Sequence, residues 1–349
     1  MLSVIIPIYN TPYNRFITCI SSILQNNYSD LEVIIIDDGS KNFYSALYKE
    51  YCSQIKEIKY FKIANSGPSA ARNYGFTKSI GDYIIFIDAD DYIAPYFFTD
   101  TEKIIQQLKY PDMIIGLMKY AYNDSMIFKN NSLTLHSIES FEDKAILINH
   151  MLGQQSKIYF FNDLGYISDG PVARVVKREI FKYNKFDENI LWNEDTIWNI
   201  KILHDCQKVV IANKTWYAYY ENSDSATNKF RENSLKELLE ILPMEFNVMQ
   251  ENWGQYYSGI YYMMYKDFRL LNRTYIFHKN NTDNMYVKFC KFKYVINETL
   301  IKDALKYIIN HHKILSVKQF IMHIFYFDLV YGFKVLAFCM LLIKHRFRI

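Results

Sequence analysis

The sequence predicts an α/β fold: a mostly parallel sheet flanked by helices, followed by a mainly α-helical C-terminal region. Three observations carry this prediction. The first hundred residues alternate between short β-rich apolar runs and segments of helical spacing, as expected for strands joined by helices. Polar clusters follow three of those runs, at the strand ends where such sheets bind ligands. Beyond about Asn222, spaced apolar residues continue over long stretches without strand-like runs.

The elements follow in order. Leu2–Ile8 reads as a first strand, and Tyr13–Gln25 has helical spacing. Leu31–Ile36 is a second buried strand, Phe43–Cys52 a helix, and Ile58–Ile63 a third strand. Pro68–Ser79 reads as a helix with proline at its start, stopped by Gly81, and Tyr83–Ile87 is the fourth strand. Next come strands at Asp112–Met118 and Ala121–Phe128, and a helix at Glu142–Met151. A short helix is expected at Val175–Phe181, a longer one at Glu194–His204, and closing strands at Val209–Ala212 and Trp216–Tyr220. Helices are then expected at Asn233–Met249, Tyr256–Leu271, Leu300–His311 and Val317–Ile343. Loop composition from Asn222 to Asn228 marks a boundary, giving domains 1–225 and 226–349.

Composition excludes several classes. At 349 residues, 50% apolar and 22% charged, the chain has the material for a large core. A net charge of +3 gives no basis for nucleic-acid binding. Five scattered cysteines show no zinc-ligand spacing, which fits a reducing cytoplasm. The apolar run at Met1–Pro7 is short for a signal peptide and lacks a basic flank. No stretch reaches the roughly 18–20 apolar residues that span a bilayer.

Phe86-Ile-Asp-Ala-Asp-Asp91 sets three carboxylates directly after an apolar strand. A turn explains them most simply, because aspartate favours turns. The alternative is a divalent cation site, since carboxylates suit Mg²⁺ or Mn²⁺ and a phosphate would supply further ligands. Such a cation would relieve the repulsion and neutralise a diphosphate leaving group. The fingerprints G-x-G-x-x-G and G-x-x-x-x-G-K-[ST] are absent. Arg72, on the helix opened by Asn65-Ser-Gly-Pro68, is either a surface charge, a nucleotide contact or an ion-pair partner of the aspartates.

Four segments together resemble glycosyltransferase family 2: Ser3–Asn10, Val33–Ser40, Gly67–Gly75 and Phe86–Asp91, in that family's order and spacing. The resemblance covers the N-terminal domain, loosens toward residue 222 and fades in the helical remainder. It implies a GT-A-type, Rossmann-like domain with a UDP-sugar donor. By that resemblance Pro7 and Tyr9 would lie along the nucleotide base, and Asp38 would accept from the uracil N3–H. Asn65 and Arg72 would border the uridine, and Asp88 and Ala89 the ribose and nucleotide sugar. Asp90 would ligate the metal, with Asp91 a second ligand or a support for the first.

Sugar transfer with inversion needs a carboxylate to deprotonate the acceptor hydroxyl. Trp192-Asn-Glu-Asp195 offers Glu194 and Asp195 at a helix start. Taken alone, capping and the macrodipole explain these acids. The resemblance implies that Asp195 is the base, with Glu194 positioning acceptor or base. Trp192 could stack on an acceptor sugar, although an aromatic there more often packs. Two departures stand out: Asp169–Arg174 lacks the aromatic and the lysine or asparagine of many relatives, and Tyr217–Ser225 lacks their arginine.

The expected function is therefore an inverting hexosyl- or N-acetylhexosaminyltransferase, cytoplasmic, acting on a growing surface glycan or lipid-linked glycan. A non-catalytic assembly subunit and a nucleotidyltransferase are the competing readings. The tail, Val317–Ile349, ends in Lys344-His-Arg-Phe-Arg348. It is read either as a packed helix or as a peripheral membrane contact, and the helical region could also mediate self-association.

Overall fold

The computed structural model describes residues 1–121, 128, 131–154, 165–220 and 229–311. It divides into two compact units: Met1–Asn222 with Val248–Tyr257, and Ser223–Asn247 with Ser258–Ile349. The first holds a nine-stranded sheet. Its strands are β1 (Leu2–Ile8), β2 (Leu31–Asp38), β3 (Ile58–Ile63), β4 (Tyr83–Phe86) and β5 (Tyr92–Ile93). The rest are β6 (Met113–Ala121), β7 (Leu135–Ile138), β8 (Arg174–Lys177) and β9 (Val209–Tyr220). The spatial order is β3-β2-β1-β4-β8-β6-β9-β5, with β7 also on β9.

The first half is parallel, as the alternation required. Val4 pairs with both Val33 and Ile85, so β1, β2 and β4 end at one level. Connecting them are α1 (Tyr13–Leu24), α2 (Asn42–Ser53) and α3 (Pro68–Lys78). Helix α1 buries Phe16, Cys19, Ile20 and Ile23, the one-face pattern of an amphipathic helix. Helix α3 comes closest to the sheet at Gly75, where a Cβ would lie 2.4 Å from Ile5 Cγ2. The small residue there is a packing requirement.

The second half departs from the expected mostly parallel sheet. Strand β8 runs antiparallel between β4 and β6, and β5 and β7 run antiparallel to β9. Only β6 and β9 pair in parallel there. The short helix expected over Val175–Phe181 is split between β8 and α6 (Arg178–Tyr183). Val175 and Val176 are fully buried between two strands, and so short an apolar run carries no period to distinguish helix from strand. The two expected closing strands are one, β9. In its polar middle Lys214 Nζ lies 2.8 Å from Asp100 Oδ2, both buried.

Helices α4 (Phe97–Gln107), α5 (Phe141–Met151) and α7 (Glu194–Asp205) complete this unit's flanks; α4 was not expected. The other unit is helical: most of α8 (Ser234–Trp253), then α9 (Gly259–Leu271), α10 (Met285–Asn297) and α11 (Thr299–His311). Its packing is aromatic, with Tyr261 stacked on Tyr307 at 4.6 Å and Phe268 against Phe292 at 5.5 Å. Helix α10 was not foreseen. No described helix is long and apolar enough to cross a membrane. The tail Val317–Ile349 and most of the expected strand Ala121–Phe128 lie outside the described residues.

Buried Glu32 fastens the amino edge of the sheet. It accepts from Ser3 Oγ (2.6 Å), Ile80 N–H (2.6 Å), Gly81 N–H (3.2 Å) and Lys59 Nζ (2.8 Å). Burial alone would raise its pKa, but the Ile80 amide, Lys59 and Ser3 hold it below the ordinary value. A depressed carboxylate contributes stability above its unfolded pKa and loses it as pH falls through the folded one. Glu32→Ala should therefore cost about 2–4 kcal/mol at pH 7 in denaturant titrations. The gap to the native chain should narrow below about pH 4.

Candidate active site

The loops after β1 and β2 are locked together before any ligand enters. Asn10, at φ 50, donates its backbone N–H to Ser40 Oγ (2.9 Å) and accepts from Lys41 N–H (2.9 Å). Asp37 lies beneath, accepting from Ser40 N–H (2.8 Å), Ser45 Oγ (2.5 Å) and Tyr60 OH (2.5 Å). Burial would raise Asp37, but these donors hold it low. Asp38 accepts from the N–H groups of Ser66 (2.7 Å) and Gly67 (2.9 Å) at the start of α3. Burial raises its pKa and the two amides partly offset that rise. Each carboxylate oxygen keeps a further lone pair, so Asp38 both shapes the pocket and can accept from a ligand. Gly39, at φ 74, is required here: a Cβ would lie 2.6 Å from Asn65 N. Tyr9 stands over this edge 55% exposed, Pro7 is half-buried and Asn65 is exposed.

The acidic turn after β4 is divided by burial. Asp91, 1% exposed, accepts from Tyr217 OH (2.7 Å) and Tyr220 N–H (2.8 Å). The Tyr217 hydroxyl oxygen in turn accepts from the Asp88 N–H (3.1 Å). The expectation of Asp91 as a metal ligand is therefore corrected to a support, its oxygens turned into the protein. Ala89 is buried in the core, so its side chain does not line a nucleotide site. Asp90 stays partly open, and burial, reinforced by Asp88, pushes its carboxyl up to about 6.

Arg72, 4% exposed, joins this turn to the predicted base. Its Nη1 donates to Asp195 Oδ1 at 2.7 Å and its Nη2 to Asp88 Oδ1 at 3.2 Å. The guanidinium also lies 5.2 Å from the Phe186 ring. Neighbouring Asn73 holds that ring's backbone, donating to Phe186 O (2.9 Å) and accepting from its N–H (3.1 Å). Asp195 sits in the first turn of α7, after Asn193 in a left-handed conformation (φ 57), with Glu194 beside it. Its side chain is partly open to solvent, 29% exposed. Burial pushes its carboxyl up to about 7; Arg72 opposes this, while Glu194, Asp88 and Asp169 add to it. Trp192 is 3% exposed. Its rings are packed rather than presented to a sugar, which corrects the acceptor assignment.

The geometry thus gathers Asp88, Asp90, Asp195 and Arg72 at the carboxyl end of the parallel strands, with Tyr9, Asp38 and Asn65 around the loops after β1 and β2. Residues 3–170 match the model for glycosyl transferase family 2. The first half of the chain is thus similar to that family. Among curated relatives it is similar to glycosyltransferase GlyA of Streptococcus pneumoniae serotype 4, 28% identical over 243 residues. That match covers 69% of this chain and 33% of GlyA, so the chain spans a third of the relative's length. Among solved structures it is similar to S. aureus TarS in complex with UDP-GlcNAc. The TM-score is 0.57 at 18% identity, covering 88% of this chain and 80% of the other. A mannosyltransferase from Pyrobaculum calidifontis, solved with GDP-Man and Mn²⁺, gives 0.52 at 10% identity, covering 94% and 80%. These likenesses establish the fold as GT-A.

Several supports escaped the sequence reading. Arg15, on α1, lies 3.3 Å from the Tyr220 ring centroid and draws the Asp90 pKa down. Asn199, buried one turn after Asp195, donates to the carbonyls of Asp169 (2.6 Å) and Gly170 (3.0 Å). Buried Arg174 donates to the carbonyls of Val172 (2.9 Å) and Ser168 (2.5 Å). Polar residues inside an apolar strand or helix were the available signal, because buried polar groups need partners.

The resemblance implied a divalent cation. Among the described residues no group of three or more His, Cys, Asp or Glu could hold a metal alone. Asp90 nevertheless fits as one ligand of a site completed by phosphate oxygens, since its charged form is disfavoured without a cation. A raised carboxylate subtracts stability as pH rises from its unfolded toward its folded pKa. In chelator, Asp90→Asn should melt about 2–4 °C above the native chain at pH 7.5. The two should converge near pH 4, measured by calorimetry.

Proposed function

We propose that this protein is an inverting glycosyltransferase that moves a sugar from a UDP-sugar to a hydroxyl of a growing surface glycan or lipid-linked glycan. The observation that carries the reading is the placement of Asp195, held by Arg72 within one guanidinium of the acidic turn. Base and donor site are thereby set side by side.

Tyr9 would cover the base of the nucleotide, and Asp38 would accept its N–H, bordered by Asn65. Asp88 would meet the ribose, and Asp90 would hold a divalent cation. That cation, Mg²⁺ or Mn²⁺, would neutralise charge on the diphosphate. Asp195 takes the acceptor proton as its oxygen attacks the anomeric carbon from the face opposite the leaving group. The anomeric bond to the diphosphate breaks, a glycosidic bond forms with inversion, and the proton remains on Asp195. Glu194 orients base or acceptor. The motifs around Asp38 and the UDP-GlcNAc complex of TarS support a uridine donor; the GDP-Man complex makes guanosine the alternative to test.

We assign catalysis to residues 1–225, and acceptor, membrane or self-association contacts to 226–349. A cytoplasmic location fits the scattered cysteines.

A panel of nucleotide sugars with Mn²⁺ tests the activity through release of nucleoside diphosphate. UDP from at least one donor is expected. Pyrophosphate as product, or no UDP binding by titration calorimetry, would sink the reading. Asp195→Asn should bind UDP normally while turning over at least about 100-fold more slowly. Because only the ionised base accepts a proton, kcat/KM should fall as pH drops through about 7.

A further inference from the structure

Trp192 being buried leaves the acceptor without an aromatic contact, and sugar rings are commonly held by stacking on aromatic faces. A different aromatic cluster stands at the site. Tyr120, near the end of β6, is 50% exposed, and its ring stacks on Tyr166 with centroids 5.2 Å apart and planes inclined by 26°. Tyr219, on β9, meets Tyr120 edge-on at 5.6 Å. The platform is rigid from below. Tyr166 and Met118 exchange both backbone hydrogen bonds (2.8 and 3.0 Å).

The cluster lies between the two halves of the catalytic machinery. Tyr219 directly precedes Tyr220, whose N–H donates to Asp91 Oδ1 at 2.8 Å, so the cluster adjoins the acidic turn. Four residues on from Tyr166 is Gly170, whose Cβ, had it one, would lie 3.8 Å from Asp195 Oδ2. Four residues span at most about 14 Å, so the platform and the base are joined by a short, internally clamped piece of chain. The Asp169 and Gly170 carbonyls are held by Asn199, and a Cβ at Gly170 would meet Ser168 Oγ at 3.3 Å as well as Asp195.

We infer that Tyr120, backed by Tyr166 and Tyr219, is the stacking platform for a pyranose ring of the acceptor glycan, and that Gly170 leaves room for that glycan's hydroxyl to reach Asp195. The inference rests on the glycosyltransferase reading above. It names the acceptor class by its chemistry: a sugar with an apolar ring face rather than a peptide, a nucleic acid or a bare lipid headgroup.

Saturation-transfer NMR on the full chain with UDP and Mg²⁺ tests it, using methyl pyranosides of glucose, galactose, mannose and N-acetylglucosamine as probes. At least one should receive saturation from the protein. Tyr120→Ala should reduce that signal at least fivefold, whereas Tyr120→Phe, which keeps the ring face, should stay within twofold. UDP affinity should be unchanged in both. Gly170→Leu should also reduce the glycoside signal with UDP affinity intact. The inference is overturned if no pyranoside binds, or if Tyr120→Ala leaves the signal unchanged. Parallel loss of UDP affinity in Tyr120→Ala would overturn it too, by placing the residue in the donor pocket. Glycoside binding lost with Tyr120 but without sugar release from any donor would uphold the platform and count against the catalytic reading alone.

Discussion

A single buried cation organises the site. Arg72 brings together Asp88 from the turn after β4 and Asp195 from α7, groups separated in sequence by more than a hundred residues. Removing a guanidinium from water costs several kcal/mol unless its partners are well placed, so the positions of all three side chains are mutually enforced. Arg72 is in turn aimed by α3. That helix is set against β1 by Gly75, fastened at its start by Asp38, and tied through Asn73 to the segment carrying Phe186. Loosening any of these would move the cation relative to both acids.

Charge is then arranged on a repeated plan. Where two aspartates are adjacent, the deeper one is spent on the protein and the shallower one faces the site. Asp37 holds Ser45 and Tyr60 while Asp38 borders the pocket. Asp91 holds Tyr217 and Tyr220 while Asp90 remains partly open. The crowding of carboxylates is tolerable because Asp37, Asp38 and Asp91 each accept from hydroxyl or amide donors. What remains is an excess of negative charge around Arg72 and Asp90, the condition under which a cation and an anionic diphosphate would bind together.

Much of this was legible in the sequence because the parallel half of the sheet uses long, uninterrupted apolar strands, each followed by its polar turn. The strands at Leu2–Ile8 and Ile58–Ile63 have the expected bounds, the four ordered motifs pointed to Asp38, Arg72 and Asp90, and the Glu-Asp pair at a helix start pointed to Asp195. The antiparallel half was not legible. Strand β8 is four residues long and β5 only two, too short to carry a period. Burial also inverted two assignments that residue type alone suggested: Trp192 and Asp91 have the right chemistry but point into the protein. Arg15 was invisible for a related reason. The strand it serves is β9, two hundred residues away, and nothing local to α1 announces that partner.

The illegible half also supplies the second side of the candidate site. The parallel strands contribute Asp37 and Asp38 and the acidic turn. Asp195 arrives on α7, beside the Ser168–Val172 segment that Arg174 and Asn199 hold in place. The acidic turn is positioned by β9 through Tyr217 and Tyr220. Strand β9 is itself pinned midway by the buried Lys214–Asp100 pair to α4. Two of the contacts that join the halves, Asp91 with Tyr217 and Arg72 with Asp195, run through the site. A change that slips β9 along β6 would disturb the acidic turn without touching any of its residues, so the geometry of that turn depends on strand register as much as on its carboxylates.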